Sequence, residues 1–308
     1  HAPVEIRVEA KDNDPITGPK WGASESITLL PPDIGEAEAD RLDALRSLRD
    51  AYVDALAWRM ENAIGQKNAT GTIPAAEDDK RVADEVVQKL DDALTGRHGT
   101  ALPGRLVALL RAHQKKIEDA RIAERRAPGA GAHGKTVKAT ETMVLVIDGI
   151  VRGLERKDAR AASKQLADVA DDLAMGYGDA RATQSSTGAK WKTRTEAATH
   201  VLRGGEKQLA RLGVLGHDLS GAVHAGLGRT TRAEKGGDVQ HAELAARDLA
   251  VRLRDADPSF GSRGGSGGHA GGESGGEPGT SSGEGADEPS DAEKAFNEAV
   301  QDLEQLDQ

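Results

Sequence analysis

Between residues 33 and 257 the apolar residues advance by three and four positions at a time. Leu45, Leu48, Tyr52, Leu56, Met60 and Ile64 form one such row, and Val82, Val86, Leu90 and Leu94 another. That spacing returns a side chain to the same side of an α-helix at each turn, whereas a half-buried strand needs strict alternation. Further rows are Leu106, Leu110, His113, Ile117 and Ala120, then Met143, Ile147, Ile150 and Leu154, then Leu166, Val169 and Leu173. Aromatic residues make up only 2% of the chain, so burial falls to Ala, Leu, Val and Ile. Ala and Leu favour helix, and a thin core of small side chains suits narrow helical hairpins better than a thick sandwich. The expected fold is mainly α: an antiparallel helical bundle or a set of extended helical hairpins.

Turn signals bound the helices. Asp33 with Glu36 three residues on reads as a carboxylate variant of a capping box that starts a helix over 33–64, and Gly65 ends it. Pro74 and Pro103 suit first-turn positions of helices over 74–94 and 103–126. The stretch 128–134 reads as a Gly/Ala loop. Helices are expected over 136–154 and 159–175, then a polar loop over 176–188. Helices over 190–212, 218–232 and 238–255 follow. Asp158, Ala162, Ala170 and Leu173 echo Asp238, Ala242, Ala250 and Leu253 at an offset of 80 residues. Two copies do not establish a repeat, and the echo reads as two helices using the same cap and stripe.

The two ends differ from this body. Residues 1–32 form the first unit. Val4, Ile6 and Val8 alternate with charged residues, and 24–30 reads as a second strand. The pair reads as a short N-terminal β-hairpin closing a β-sandwich, because two strands are not a stable domain alone. Residues 33–257 form the helical domain. Residues 258–290 are a low-complexity Gly/Ser/Glu linker too poor in apolar residues to repay ordering, so this acidic tail is expected to be disordered. Residues 291–308 read as a short acidic helix with the row Ala292, Phe296, Ala299, Leu303 and Leu306, marginal without a partner. From Glu273 onward eleven carboxylates face one lysine, Lys294, which accounts for the entire net charge of −10. The rest is neutral but densely charged, the pattern of solvated helices crossed by ion pairs, and this excludes a basic nucleic-acid binder.

Cysteine is absent, which excludes disulfides, thiolate metal sites and cysteine nucleophiles. No apolar run approaches the ~20 residues that span a bilayer. A chain opening on His1 reads as an excised or processed start, with targeting signals outside it.

Three patterns could carry chemistry. Gly129, Gly134, Lys135 and Thr136 match the G-x-x-x-x-G-K-[ST] phosphate loop, and 143–148 imitates a following strand. The mechanism needs a strand directly before the loop, and the preceding residues have helical spacing. The competing reading is an interhelical loop with Lys135 near a helix start. Asp12, Asn13 and Asp14, with Glu9, supply oxygen donors of the kind calcium takes, against the plainer reading of an Asx-type hairpin turn. His217, His224 and His241 lie in one region, but not at the spacing of zinc-binding helices. No nucleophile elbow is present, and the many carboxylates fall on polar helix faces. Trp58 and Trp191 read as core or hairpin anchors. No cofactor and no metal is expected.

Residues 8–20, followed by Ser24-Glu-Ser-Ile-Thr-Leu29, resemble a bacterial envelope family known as domain of unknown function 4175. Pro31-Pro32, the helix containing Arg49-Asp-Ala-Tyr-Val-Asp-Ala-Leu-Ala-Trp58, the segment Ala242–Ala250 and Asp257-Pro-Ser-Phe-Gly-Ser262 extend the likeness. The resemblance implies N-terminal membrane helices, an immunoglobulin-like segment, and long helical and low-complexity regions, with no catalytic residues to carry over. It places this chain in the cell envelope, as a soluble portion that reaches the membrane only through segments preceding His1. The expected role is a non-enzymatic structural or protein-interaction module that binds protein partners or itself through helices, without nucleic acid or a small-molecule ligand. The alternatives are reversible lipid-surface binding by amphipathic helices and, through Lys135 and Thr136, a nucleotide-binding switch.

Overall fold

The computed structural model describes residues 4–11, 21–29, 32–95, 101–182 and 188–255. The Asp12-Asn13-Asp14 cluster, the Gly/Ser/Glu linker and the acidic segment 291–308 lie outside the described residues. Within them the chain is mainly helical, with a small antiparallel hairpin in front.

The hairpin consists of β1 (Val4–Ile6), β2 (Glu9–Lys11), β3 (Trp21–Ala23) and β4 (Ile27–Leu29). β1 pairs with β4, Ile6 opposite Ile27, and β2 pairs with β3, Lys11 opposite Trp21. Between the two ladders, Arg7 and Val8 face Ser24, Glu25 and Ser26, one residue more on the returning strand. That mismatch is a bulge, and the Ser24 side chain fills it by accepting the Val8 N–H at 3.0 Å. The alternation of Val4, Ile6 and Val8 predicts one buried face. Instead Val8 is 65% and Trp21 68% exposed, since no described layer covers the hairpin.

Among the described residues seven helices follow: α1 (Glu36–Glu61), α2 (Ala76–Leu94), α3 (Gly104–Arg126), α4 (Ala130–Ala182), α5 (Gly188–Leu209), α6 (Gly213–Lys235) and α7 (Val239–Arg254). α4 is the organising element. Its 53 residues make a rod about 80 Å long at 1.5 Å per residue. The first half of α4 packs with α1 and α3, α2 packs on α1, and the second half of α4 packs with α5, α6 and α7. Cross-helix pairs fix the directions. α1 runs antiparallel to α4, with Arg41 on Asp158 and Arg49 on Asp148. α5 doubles back along α4, with Arg194 on Asp172, and α7 does the same, with Arg181 on Glu243 and Ser163 on the Leu253 carbonyl.

The apolar rows form one continuous core. Leu42, Leu45, Leu48 and Tyr52 of α1 meet Met143, Ile147 and Ile150 of α4, and Leu166, Ala170 and Leu173 continue it into the second half. Small residues let the helices close up. A methyl group at Gly205 of α5 would stand 2.4 Å from a Leu166 methyl, so this glycine inside a helix is a contact point rather than a breaker. At the start of α1, Gly35 takes φ +84°, a conformation that favours glycine. The expected cap at Asp33 is not formed: Gly35 is the N-cap, no side chain caps the helix start, and Glu36 only reaches back to accept the Asp33 N–H at 2.9 Å.

Three stretches differ from the sequence reading: the polar loop expected from 176 is helix as far as Ala182, where Tyr177 is buried in the core, and two others lie nearer the start of α4. The predicted break at 155–158 does not exist, because α4 runs through it. Asp158 is no cap there: it is buried mid-helix, 2.6 Å from Arg41. Its counterpart Asp238 does cap α7, accepting the His241 N–H at 3.0 Å. The predicted Gly/Ala loop over 128–134 is mostly the first turn of α4, where Gly129 already accepts the His133 N–H.

Candidate functional site

The most concentrated chemistry among the described residues is a buried charge centre where α1, α2, α3 and the start of α4 converge. Asp79 of α2 is at its heart. Arg59 of α1 reaches it at 2.6 Å, and Arg121 and Arg125 of α3 at 2.8 and 3.0 Å. Glu124 of α3 is fully buried beside them, with His133 Nδ1 at 2.8 Å and Arg59 at 3.9 Å. Three guanidiniums therefore surround two carboxylates, and His133 closes the group.

Burial alone would raise the Asp79 pKa. The Arg121 hydrogen bond and the charges of Arg59, Arg121 and Arg125 outweigh it and hold the carboxyl below the usual range. Burial lowers Arg59 despite the same partners. Asp158 goes the other way from Asp79: burial raises it, and the single Arg41 does not compensate. Buried polar atoms without a hydrogen bond include Arg59 Nη1, Arg121 Nε and Glu124 Oε2. The adjoining void between Tyr52, Gln114, Ile117 and Arg121 holds about 10 Å³, a single water's worth and too small for a ligand.

A second charge network lies at mid-molecule. Arg46 bonds Glu155 of α4 at 2.6 Å and the Arg211 carbonyl at 2.8 Å. Arg211, in the α5–α6 turn, reaches back to Asp40 and Asp43 of α1 at 2.5 and 2.6 Å. This lattice ties the second helical group to the first. It borders an open cleft of about 520 Å³ that Lys89 and Asp92 of α2 also line.

The phosphate-loop match does not form a phosphate loop. The element directly before it is the helix α3 rather than a strand, and Gly134, Lys135 and Thr136 lie within α4. Thr136 is fully buried and its hydroxyl faces the Ala132 carbonyl at 3.4 Å, so it is spent inside the helix. His133, in the middle of the motif, is engaged with Glu124. The arrangement therefore removes the geometric basis for a nucleotide switch. The three histidines are not brought together either: His224 pairs with Glu206, His241 with Asp238, and His217 is exposed. Among the described residues no group of three or more histidines and carboxylates is placed to hold a metal ion. Trp191 packs against the core as expected, while Trp58 is half-buried beside Arg59.

The carboxylates were expected on polar faces, and Asp79, Glu124, Asp158 and Glu243 are buried instead. A signal for the charge centre was present. Arg59 lies seven residues after Tyr52, Asp79 seven before Val86, and Glu124 seven after Ile117. Each continues an apolar row, so opposite charges stand at the ends of three facing stripes. On α1 the inward turn of Arg59 rotates Met60 outward to 69% exposure, against its expected place in the core row. Val53, Ala57 and Met60 thus form an exposed stripe along α1, and Leu244 and Val251 another along α7.

No known protein family, curated protein or solved structure matches this chain. No helix among the described residues is long and apolar enough to cross a membrane.

Proposed function

We propose that this chain is a non-enzymatic structural and protein-interaction module of a bacterial cell-envelope protein, a stiff helical spacer that presents apolar helix faces to protein partners. The observation that carries the reading is the Val53, Ala57 and Met60 stripe on α1. It lies on the outside of the same helix whose inner face is locked by Arg59 and Tyr52 into the core. An amphipathic helix with apolar residues on its solvent side fits a helix-in-groove or helix-on-helix contact. The long α4 supports the same reading, since one continuous rod shared by two helical groups transmits position along the molecule. The envelope assignment rests on the sequence resemblance.

A photo-crosslinking amino acid at Met60, in cells that make the chain, tests this. Expected is a protein adduct of discrete mass that disappears with Val53→Glu while the helical circular dichroism is retained. Adducts with lipid alone would replace this reading with reversible lipid-surface binding, and the absence of any adduct would end it.

A further inference from the structure

The outer side of the α6–α7 hairpin carries a groove of a different character. It is open, with a volume of about 700 Å³, and is lined by Arg229, Arg232, His241, Leu244, Asp248 and Arg252. Arg229 and Arg252 share one carboxylate, Asp248, at 2.8 and 3.0 Å. Arg232 donates its Nε–H to the Gly228 carbonyl of its own helix, and no described carboxylate pairs with it. Three guanidiniums against one carboxylate leave the groove with a positive excess in a molecule that is acidic overall. Leu244 is 54% exposed at its edge, and Val251, two turns along α7, is 53% exposed. A basic, partly apolar groove calls for an acidic, partly apolar occupant.

The chain supplies one. We infer that the groove between α6 and α7 docks the chain's own segment 291–308, with Phe296 and Leu303 against Leu244 and Val251. Both pairs are seven residues apart, about 10.5 Å along a helix. The segment holds six carboxylates and one lysine, opposite in sign to the groove. The connection reaches. Residues 256–291 are 36 in number. A Gly/Ser-rich coil of that length has a root-mean-square span of about 30–36 Å. Tethering at that range gives an effective concentration on the order of millimolar, so a contact of modest intrinsic affinity is populated. The apolar row of 291–308, too short to hold a helix alone, acquires the partner it needs. The docked segment occupies a face that is separate from the α1 stripe, so this inference stands or falls independently of the proposed function.

The absence of cysteine makes the test clean on the full chain. Gln240→Cys and Gln305→Cys accept a donor and an acceptor dye, and energy transfer within single molecules reports the distance between α7 and the tail. Docking predicts transfer well above that of a free coil. It also predicts a fall of at least about half in 1 M NaCl, where screening acts within about 3 Å. The same fall is expected for Arg232→Glu with Arg252→Glu, and separately for Phe296→Ser with Leu303→Ser. The second pair lies outside the helical body, so its effect does not depend on that body's folding. Transfer at the coil value, indifferent to salt and to both pairs, overturns the inference. Transfer that arises only when singly labelled chains are mixed also overturns it, by placing the tail on a second copy.

Discussion

Arg59 of α1 lies 2.6 Å from Asp79 of α2, and both side chains are at most 3% exposed. Two helices that could slide past each other on Leu and Ala alone are thereby held in one register. Arg121, Arg125 and, through Glu124, His133 extend the pair to α3 and α4. A buried charge of this kind is expensive to form and more expensive to break, because the remaining partners have no water to turn to.

Asp79→Asn is therefore expected to destabilise the chain by about 3–5 kcal/mol near neutral pH, read as a lower urea midpoint. The pH dependence has a definite sign. Because its folded pKa is depressed, the contribution of Asp79 is complete above its unfolded value of 3.8 and is lost as pH falls through the folded value. The gap between wild type and Asp79→Asn should accordingly narrow below pH 3.8. A gap that stays constant down to pH 2 would contradict this account.

His133 holds Glu124 by the hydrogen bond at 2.8 Å, and Glu124 Oε2, 3.9 Å from Arg59, has no hydrogen bond of its own. Removing the imidazole with His133→Ala leaves a buried carboxylate less satisfied and should cost about 1–3 kcal/mol. Combined with Glu124→Gln, the double-mutant cycle should show a coupling of at least about 0.5 kcal/mol. Simple additivity would show that the two side chains are neighbours without being partners.

Glycine replacements should have opposite signs in α5 and α6. Gly205→Ala puts a methyl group 2.4 Å from the buried Leu166. Overpacking of this kind costs about 1–3 kcal/mol, which outweighs the helix-propensity gain of about 1 kcal/mol or less. Gly221 has nothing within 4 Å of the added carbon, so Gly221→Ala should stabilise by up to about 1 kcal/mol. Thermal melting of the two variants decides the matter, and shifts in the same direction would refute the packing argument.

The N-terminal hairpin is exposed wherever its burial is described, with Ile6, Val8, Trp21 and Ile27 all open to solvent. Removing residues 1–31 should leave the unfolding free energy of the helical body unchanged to within about 0.5 kcal/mol. A larger loss would mean that the hairpin packs on the helices in solution.

The helical class, the hairpin in front and most helix boundaries were legible from apolar spacing and from Pro and Gly punctuation. Periodicity is a local property, and Met143, Ile147, Ile150 and Leu154 state it without reference to any neighbour. The continuity of α4 was not legible. Arg156, Lys157 and Asp158 look like a charged turn until Arg41, far away in the chain, is seen neutralising Asp158 from another helix. The same holds for Lys135 and Thr136, which match a phosphate loop as a string and become part of a helix once Glu124 and His133 pair across the α3–α4 corner.

The amino-acid sequence by itself determined which residues form helices and which side of each seeks burial, because backbone propensity and the spacing of apolar groups act within a few residues. Only the tertiary structure decided which charges are buried, which rows face outward and how far α4 runs. Those outcomes depend on distant pairs such as Arg59 with Asp79 and Arg41 with Asp158, whose attraction offsets part of the desolvation cost only when packing brings them within hydrogen-bonding distance.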